Sequence, residues 1–417
     1  KAPPEKILVD ELLYKYTLMY HDSLGWYEYD KKGVWIKQPD GAIKKYITEL
    51  LGRFLKGSLL NAVFTAAKGK CHTSNDLNAE VNYMNFRNGM LDLKRQRLNS
   101  HDKQYFSTVQ CEYEYDSKAT CERWEQFIDE ITDHDKSRAY MLQEMFGYCF
   151  LNSTKYQKMF FLIGEGANGK SVLLKILEQL LGNENVSHVP LAGLSDDFQR
   201  MLLYKKKVNM ITELKSRIEE VNQTLKAIVD GETIQGAYKY MPHTTFKPTC
   251  KIICAGNEMF TSDDVSHGFK RRIIFCEFPV RFDKEKRDIQ LKDKLEKELP
   301  GIFNWSLRGL ERLQENGEFT ETVDQEEMMN IFSSLSDTSY EFLEDLVVDF
   351  NFISRSNLYT KYQNYCTDNG AHAMSARKFY GKVRKDKRFN EHKKEGVRGF
   401  QTAPKKCPEN NISFFER

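Results

Sequence analysis

The apolar residues of this chain gather into short solid runs, set apart by polar stretches that carry glycine or proline. Four of the runs read as buried strands: KMFFLI (158–163), VNMI (208–211), KIICAG (251–256) and IIFCEF (273–278). Apolar residues three and four apart mark helices between them. One is VLLKILEQLL (172–181); another is RIEEVNQTLKAIV (217–229), with Ile218, Val221, Leu225 and Ile228 on a single face for core packing. Strands alternating with helices predict an α/β core on a parallel sheet.

The two ends are patterned differently. GWYEYDKKGVWIKQPDG (25–41) predicts a strand, a Lys-Lys-Gly turn and a second strand. Its Trp26, Tyr27, Tyr29 and Trp35 make either a stacking surface or, more commonly in hairpins, a face packed on a neighbouring helix. ITELLGRFLKGSLLNAVFTAAK (47–68) reads as helical. Near the other end TSYEFLEDLVVDF (338–350) and SNLYTKYQNYCTDNG (356–370) predict amphipathic helices, followed by basic SARKFYGKVRKDKRF (375–389) and the hairpin-like EHKKEGVRGFQT (391–402). Helix, helix, basic helix and wing is the order of a winged-helix domain, whose third helix can enter a DNA groove. The expected division is an N-terminal α/β module (1–117), a core (118–285), a helical follow-on (286–337) and a winged-helix domain with its tail (338–417).

Charge adds an asymmetry that the total hides. The net charge is +2, yet the segment from Arg377 to Lys406 is strongly basic and Glu311–Asp345 is acid-rich. Arg377, Lys378, Lys382, Arg384 and Lys385 on the predicted third helix are the candidate DNA contacts there; a solvated basic helix is the alternative. The nine cysteines are scattered, odd in number and never spaced as CxxC, which argues for reduced thiols over a disulfide frame or a zinc ribbon. No uncharged apolar stretch reaches the ~18 residues of a membrane span, and the first residues do not read as a signal peptide, so no membrane partner and a cytoplasmic place are the expectation.

The candidate chemistry lies between the first strand and its helix. Gly164-Glu165-Gly166-Ala167-Asn168-Gly169-Lys170-Ser171 fits GxxxxGK[ST], with a strand before it and a helix after it. Such a loop curls its N–H groups toward phosphate oxygens at a helix N-terminus, which implies ATP with Mg2+ as cofactors. Lys170 then holds the β and γ phosphates, and the Ser171 hydroxyl offers a ligand to magnesium. After VNMI come Thr212 and Glu213, where a second parallel strand delivers an acid to polarise water. The third strand ends at Asn257, placed to sense the γ phosphate or simply to make a turn. Arg271 and Arg272 precede the fourth strand, the place from which ring ATPases supply an arginine finger to a neighbour, although solvated or salt-bridged arginines are common there too.

Between the second and third strands, TIQGAYKYMPHTTF (233–246) predicts two short strands with a tip near Tyr240 to His243. Lys239 can neutralise phosphate, Tyr240 can stack on a base and His243 can donate a hydrogen bond. Ordinary surface residues on an exposed hairpin are the alternative.

The series Gly164–Ser171, Glu213, Asn257 and Arg271–Arg272, at these intervals, resembles superfamily 3 helicases of the poxvirus and phage primase-helicase family. Residues 85–116, ERWEQFIDEI (122–131), YMLQEMFGYCFL (140–151) and LPGIFNWSLRGLERL (299–313) resemble the segments around that family's motor. The resemblance implies an AAA+-like fold, a homo-oligomeric, hexameric ring, 3′ to 5′ movement on single-stranded DNA, and action on forked duplex DNA in phage or mobile-element replication. It also implies that the insert hairpin grips DNA in the ring pore. Members are often fused to an upstream primase-polymerase domain, and Lys1 is not a natural initiator, so a longer parent protein is expected. Glu213 stands alone where paired acids would be the stronger pattern. Two other classes use the same loop: an ATP-switched initiator or loader that does not unwind, and a small-molecule kinase, which has no need of a pore hairpin or a basic winged domain.

Overall fold

The computed structural model describes residues 4–402 apart from 80–81, 215–216, 219–221, 240–242, 263, 284–287, 347–351 and 370–372. Packing divides the chain into two compact units, 1–260 with 266–328, and 261–265 with 329–417.

The first unit begins with α1 (Pro4–Lys15), β1 (Leu18–His21), β2 (Gly25–Tyr29), β3 (Trp35–Gln38), α2 (Asp40–Leu51) and α3 (Gly57–Cys71). The three strands form an antiparallel sheet, and the aromatic alternation of β2 is spent on packing: Trp26 is fully buried, with Tyr27 and Trp35 buried beside it. Residues 47–68 are not one helix. Gly52, at φ 49°, stops α2, and the chain restarts as α3. Val9, Leu12, Ile43, Ile47, Val63 and Ala67 close this small core between the three helices.

Next come β4 (Tyr83–Phe86), β5 (Gly89–Asp92), β6 (Arg97–Asn99), α4 (Glu122–Ile131) and α5 (Lys136–Cys149). Met84, Phe86, Leu91 and Tyr113 share one continuous core with the sheet that follows. The chain then runs through β7 (Met159–Ile163), α6 (Lys170–Leu181), β8 (Val186–Ser187), α7 (Asp197–Arg200), β9 (Val208–Ile211), β10 (Arg217–Ile218), α8 (Asn222–Asp230), β11 (Ile234–Gly236), β12 (Thr244–Phe246), β13 (Lys251–Gly256), β14 (Thr261–Ser262), which belongs to the second unit, α9 (His267–Lys270) and β15 (Ile273–Glu277). Five strands lie in the order β15-β7-β13-β9-β8, all parallel. The solid apolar runs form because these strands are covered on both faces. The helix expected over 217–229 is shorter than its pattern: Arg217–Ile218 is a short strand, and α8 carries only the later positions, where Leu225 and Ile228 are fully buried.

α10 (Leu291–Lys297) and α11 (Leu299–Asn316) close the unit, and α12 (Gln325–Ser336) runs from it into the second. α11 lies against α5 nearly backbone to backbone: a Cβ on Gly309 would stand 2.3 Å from Gln143 O, and one on Gly147 2.5 Å from Ser306 O. Only glycine permits that approach. The buried Glu144 carboxylate is satisfied by Arg312 Nε at 2.7 Å and by the Thr320 N–H and hydroxyl, both at 2.7 Å.

The second unit contains α13 (Thr338–Asp345), β16 (Ile353–Ser354), α14 (Arg355–Asp368), α15 (Ala376–Lys385), β17 (Phe389–Lys394) and β18 (Val397–Thr402). Its antiparallel sheet has the order β16-β18-β17, and its core is Phe342, Leu358, Tyr362, Phe379, Val383 and Phe400. No described helix is long and apolar enough to cross a membrane.

Candidate functional site

Parallel pairing brings three chain segments to one edge of the five-stranded sheet. Ile163 ends β7 opposite Gly256 at the end of β13, and the Gly164 N–H reaches Gly256 O at 3.3 Å. Ile211 ends β9 opposite Cys254, and the Leu214 N–H reaches Ala255 O at 3.3 Å. The loop 164–169, Glu213 and Asn257 therefore leave the sheet side by side, with β13 between the loop strand and the acid-bearing strand. Glu213 and Asn257 are both exposed.

The loop turns tightly into the helix that follows it. Gly169 takes φ 90° immediately before α6, and Ala167 takes φ 66°, so the backbone turns tightly into the first helical turn. A Cβ on Gly169 would lie 2.7 Å from Ile131 Cγ2, which leaves glycine alone at that position. Glu165, Gly166 and Ala167 are exposed, and no described residue beyond its chain neighbours comes within 4 Å of where a Gly166 Cβ would stand. Asn168 braces the loop by donating from Nδ2 to Glu165 O at 2.8 Å. Lys170 is buried; its Nζ turns back on its own loop and donates to Gly164 O and, at 2.9 Å, to Asn168 Oδ1. Burial lowers its pKa to about 8, since the charged ammonium loses water and meets only neutral acceptors. Ser171 is exposed on the first turn of α6.

Beside this loop opens a cleft of about 410 Å³, walled by Arg123, Phe127 and Glu130 of α4, the residues 167–172, and Phe282 with Ile289 and Leu291 beyond β15. Neither Glu213 nor Asn257 lines it among the described residues. Sequence reasoning passed over α4 because its contact with the loop is made across ~40 residues of chain. The only local signal was ERWEQFIDEI itself, whose Trp124, Phe127 and Ile131 turn out to pack against α5 and the loop.

Arg271 and Arg272 sit at the opposite edge. Arg272 O accepts from the Met159 N–H at 2.8 Å, at the start of β7, so the five residues of β7 separate this pair from the loop. At a rise of about 3.3 Å per residue that is on the order of 15 Å. The two arginines differ in state. Arg272 is buried, and its guanidinium forks onto Asp230, with Nε to Oδ1 at 2.7 Å, and also reaches Gly268 O. Arg271 is exposed and holds Gln157 Oε1 at 3.1 Å.

The insert hairpin pairs Ile234–Gly236 with Thr244–Phe246. Its base is tied to α7: Arg200 Nε donates to Gln235 O at 2.9 Å, and the Ala237 N–H reaches Asp197 O at 3.1 Å. Lys239 is exposed, His243 lies 2.9 Å from Asp197 Oδ2, and Tyr240 lies outside the described residues. In the second unit Arg377 and Lys378 are exposed on α15, whereas Lys382 is ion-paired with Asp337.

Family-level comparison matches three stretches of the chain. Residues 5–133 match "D5 N terminal like", 162–272 match a family of unknown function, DUF5906, and 335–416 match "Poxvirus D5 protein-like". At both ends the chain is similar to D5 proteins. Two apo structures of the NrS-1 C-terminal region share its fold, one with TM-score 0.56 at 13% identity over 95% of this chain and 99% of that one. The other has TM-score 0.58 at 13% identity over 97% and 100%. At that identity the likeness is one of fold.

Proposed function

We propose that this chain is an ATP-dependent DNA helicase of superfamily 3, with an AAA+-like core, working as a homo-oligomeric ring in phage or mobile-element replication. The observation that carries the proposal is the split of the candidate site: a phosphate cradle at one edge of the parallel sheet and an exposed arginine at the other, on the order of 15 Å away. Arg271 does not meet its own chain's cradle. A second copy that sets its arginine edge against the first copy's cradle edge completes the site.

Within that site each side chain has a separable task. The loop amides and Lys170 bind the phosphates; Lys170 leaves Gly164 O and Asn168 Oδ1 for them and recovers its charge. Ser171, exposed on the first turn of α6, would hold magnesium, which neutralises phosphate charge when bound. The apolar wall of Phe127, Phe282 and Leu291 fits a nucleobase excluded from water. Glu213 polarises the attacking water and Asn257 senses the γ phosphate, both from the sheet edge that carries the cradle. Such chemistry depends on placement and charge more than on covalent help. Arg271 of the adjoining copy stabilises charge on the transferred phosphoryl group, while Arg272 keeps its structural pairing with Asp230.

Two further parts bear on DNA. The hairpin of β11 and β12 is anchored at its base to α7 and carries Lys239 toward its tip, as a pore element needs. The second unit has the helix and hairpin order of a winged-helix domain, with α15 as the basic helix. The test combines ATP hydrolysis with and without single-stranded DNA, particle size with bound nucleotide, and unwinding of a labelled fork. DNA-stimulated hydrolysis by a multi-subunit particle that separates the fork is expected. DNA-stimulated hydrolysis with the fork left paired would reject the motor in favour of a switch.

A further inference from the structure

Two arginines of the second unit grip one carboxylate, and a third lies close to them. Arg355 opens α14, Arg384 lies in the last turn of α15, and Arg398 stands in β18. Glu391 of β17 takes the Arg355 Nη2 on one oxygen and, at 2.9 Å, the Arg384 Nε on the other. Glu391 pairs with Phe400 across the hairpin, so alternation puts Arg398, two residues before Phe400, on the same face as Glu391. Burial first, then the charges of Arg384 and Arg398, push the Arg355 guanidinium below its ordinary range, because the three groups share one small volume. Arg355 Nε is shut off from solvent and has no hydrogen-bond partner among the described residues.

One carboxylate leaves such a cluster with two positive charges in excess. The stretch of chain that carries it is itself basic: between Phe352 and Thr402 there are twelve Lys and Arg against four acids. Of the other three acids, Asp386 is held by Arg388, Asp368 ends α14, and Glu395 sits in the exposed turn between β17 and β18. A guanidinium fork matches a phosphate as well as it matches a carboxylate. The cluster also lies where a basic helix and a two-stranded ribbon meet, and those are the two elements that fit a duplex groove and reach the phosphates on its rims.

We infer that Arg355, Arg384 and Arg398 form a clamp for a backbone phosphate of duplex DNA, and that Glu391 occupies it in the free protein as an internal stand-in for that phosphate. Duplex is favoured over an acidic peptide because its charges are dense and fixed in spacing, so one docking event can use this cluster together with Arg377 and Lys378 on α15. The inference needs no nucleotide and stands apart from the motor assignment.

The experiment is fluorescence anisotropy of the full chain with a short labelled duplex, without nucleotide, across a salt series. Glu391→Gln keeps the shape and removes the competing charge. It should tighten duplex binding by roughly three- to tenfold, the reverse of what a stabilising ion pair alone predicts. Arg398→Gln, at an exposed position, should weaken binding and lower the slope of log K against log salt by about 0.9. Wild-type or weaker affinity for Glu391→Gln, or an unchanged slope for Arg398→Gln, overturns the clamp; equal tightening on a polyglutamate peptide overturns the duplex assignment. If both variants bind as wild type while the wild-type chain still hydrolyses ATP with DNA, the clamp fails and the motor reading remains.

Discussion

Arg271 and Arg272 are neighbours in sequence, and alanine at each should fail in a different way. The Arg272 side chain is only 9% exposed and that of Asp230 11%, so removing the guanidinium leaves a buried carboxylate without its counter-charge. Breaking a buried pair from one side costs about 3–5 kcal/mol. At about 1.5 °C per kcal/mol for a unit of roughly 320 residues, Arg272→Ala should melt roughly 4–8 °C below wild type. Arg271 is exposed and loses one hydrogen bond to Gln157, so its alanine variant should melt within about 1 °C of wild type. Its hydrolysis should nevertheless fall about 10³-fold, as loss of a charge on the transferred phosphoryl group requires. Thermal melting and steady-state ATP hydrolysis with single-stranded DNA, run on both variants, separate the two outcomes. Normal hydrolysis by Arg271→Ala refutes its assignment. A normally melting but inactive Arg272→Ala would move the finger to Arg272.

Other consequences are equally specific. With its pKa lowered to about 8, Lys170 is largely neutral above that pH, and phosphate beside it restores the charge. Nucleotide binding near pH 9 should therefore take up a proton and weaken as pH rises further; calorimetry in buffers of different ionisation heat reads this directly, and no buffer dependence contradicts it. Gly169→Ala forces a side chain into φ 90° and against Ile131, at about 2–4 kcal/mol, and should abolish nucleotide binding by equilibrium titration. Lys207, buried with its Nζ on Phe150 O at 2.6 Å and Asn152 Oδ1 at 2.8 Å, should cost about 2–4 kcal/mol as Lys207→Ala in denaturant unfolding. Burial lowers Lys207 to about 7 and Lys251 to about 8, so the unfolded chain holds more protons than the folded one from about pH 7 up to their ordinary 10.5; their contribution should raise stability as pH climbs through that window. Lys239→Ala should lower the single-strand salt slope by about 0.7 without changing nucleotide affinity, and identical titrations would remove Lys239 from the DNA path.

The parts legible in the sequence were those fixed by local pattern. KMFFLI, the glycine loop and VLLKILEQLL are contiguous, and strand, turn and helix follow from runs of residues that need no distant partner to be read. The same holds for the hairpin around Lys31-Lys32-Gly33 and for the helix order of the second unit. What escaped depends on contacts between distant segments. Lys205-Lys206-Lys207 reads as a basic run, yet Lys207 is the first inward position at the head of β9 and is spent on carbonyls at the end of α5. The wall that α4 gives the cleft beside the glycine loop, and the sharing of one core by residues 84–113 with the parallel sheet, are likewise set by packing across the fold. Ile218 carries helical spacing but lies in a short strand, a case of tertiary pairing overriding periodicity. In the sequence Glu391 is one acid within a basic segment; only the hairpin register brings it to Arg355 and Arg384.

The claim that hydrolysis needs two copies is tested most directly by mixing two inactive variants. Lys170→Ala lacks the cradle and keeps Arg271; Arg271→Ala lacks the finger and keeps the cradle. In a random mixture about a quarter of the interfaces join an intact cradle to an intact arginine. An equal mixture, reassembled before assay, should therefore hydrolyse ATP at about a quarter of the wild-type rate while each variant alone stays near background. A mixture as inactive as its components, or full hydrolysis by single copies at a dilution where no assembly survives, would contradict the shared site.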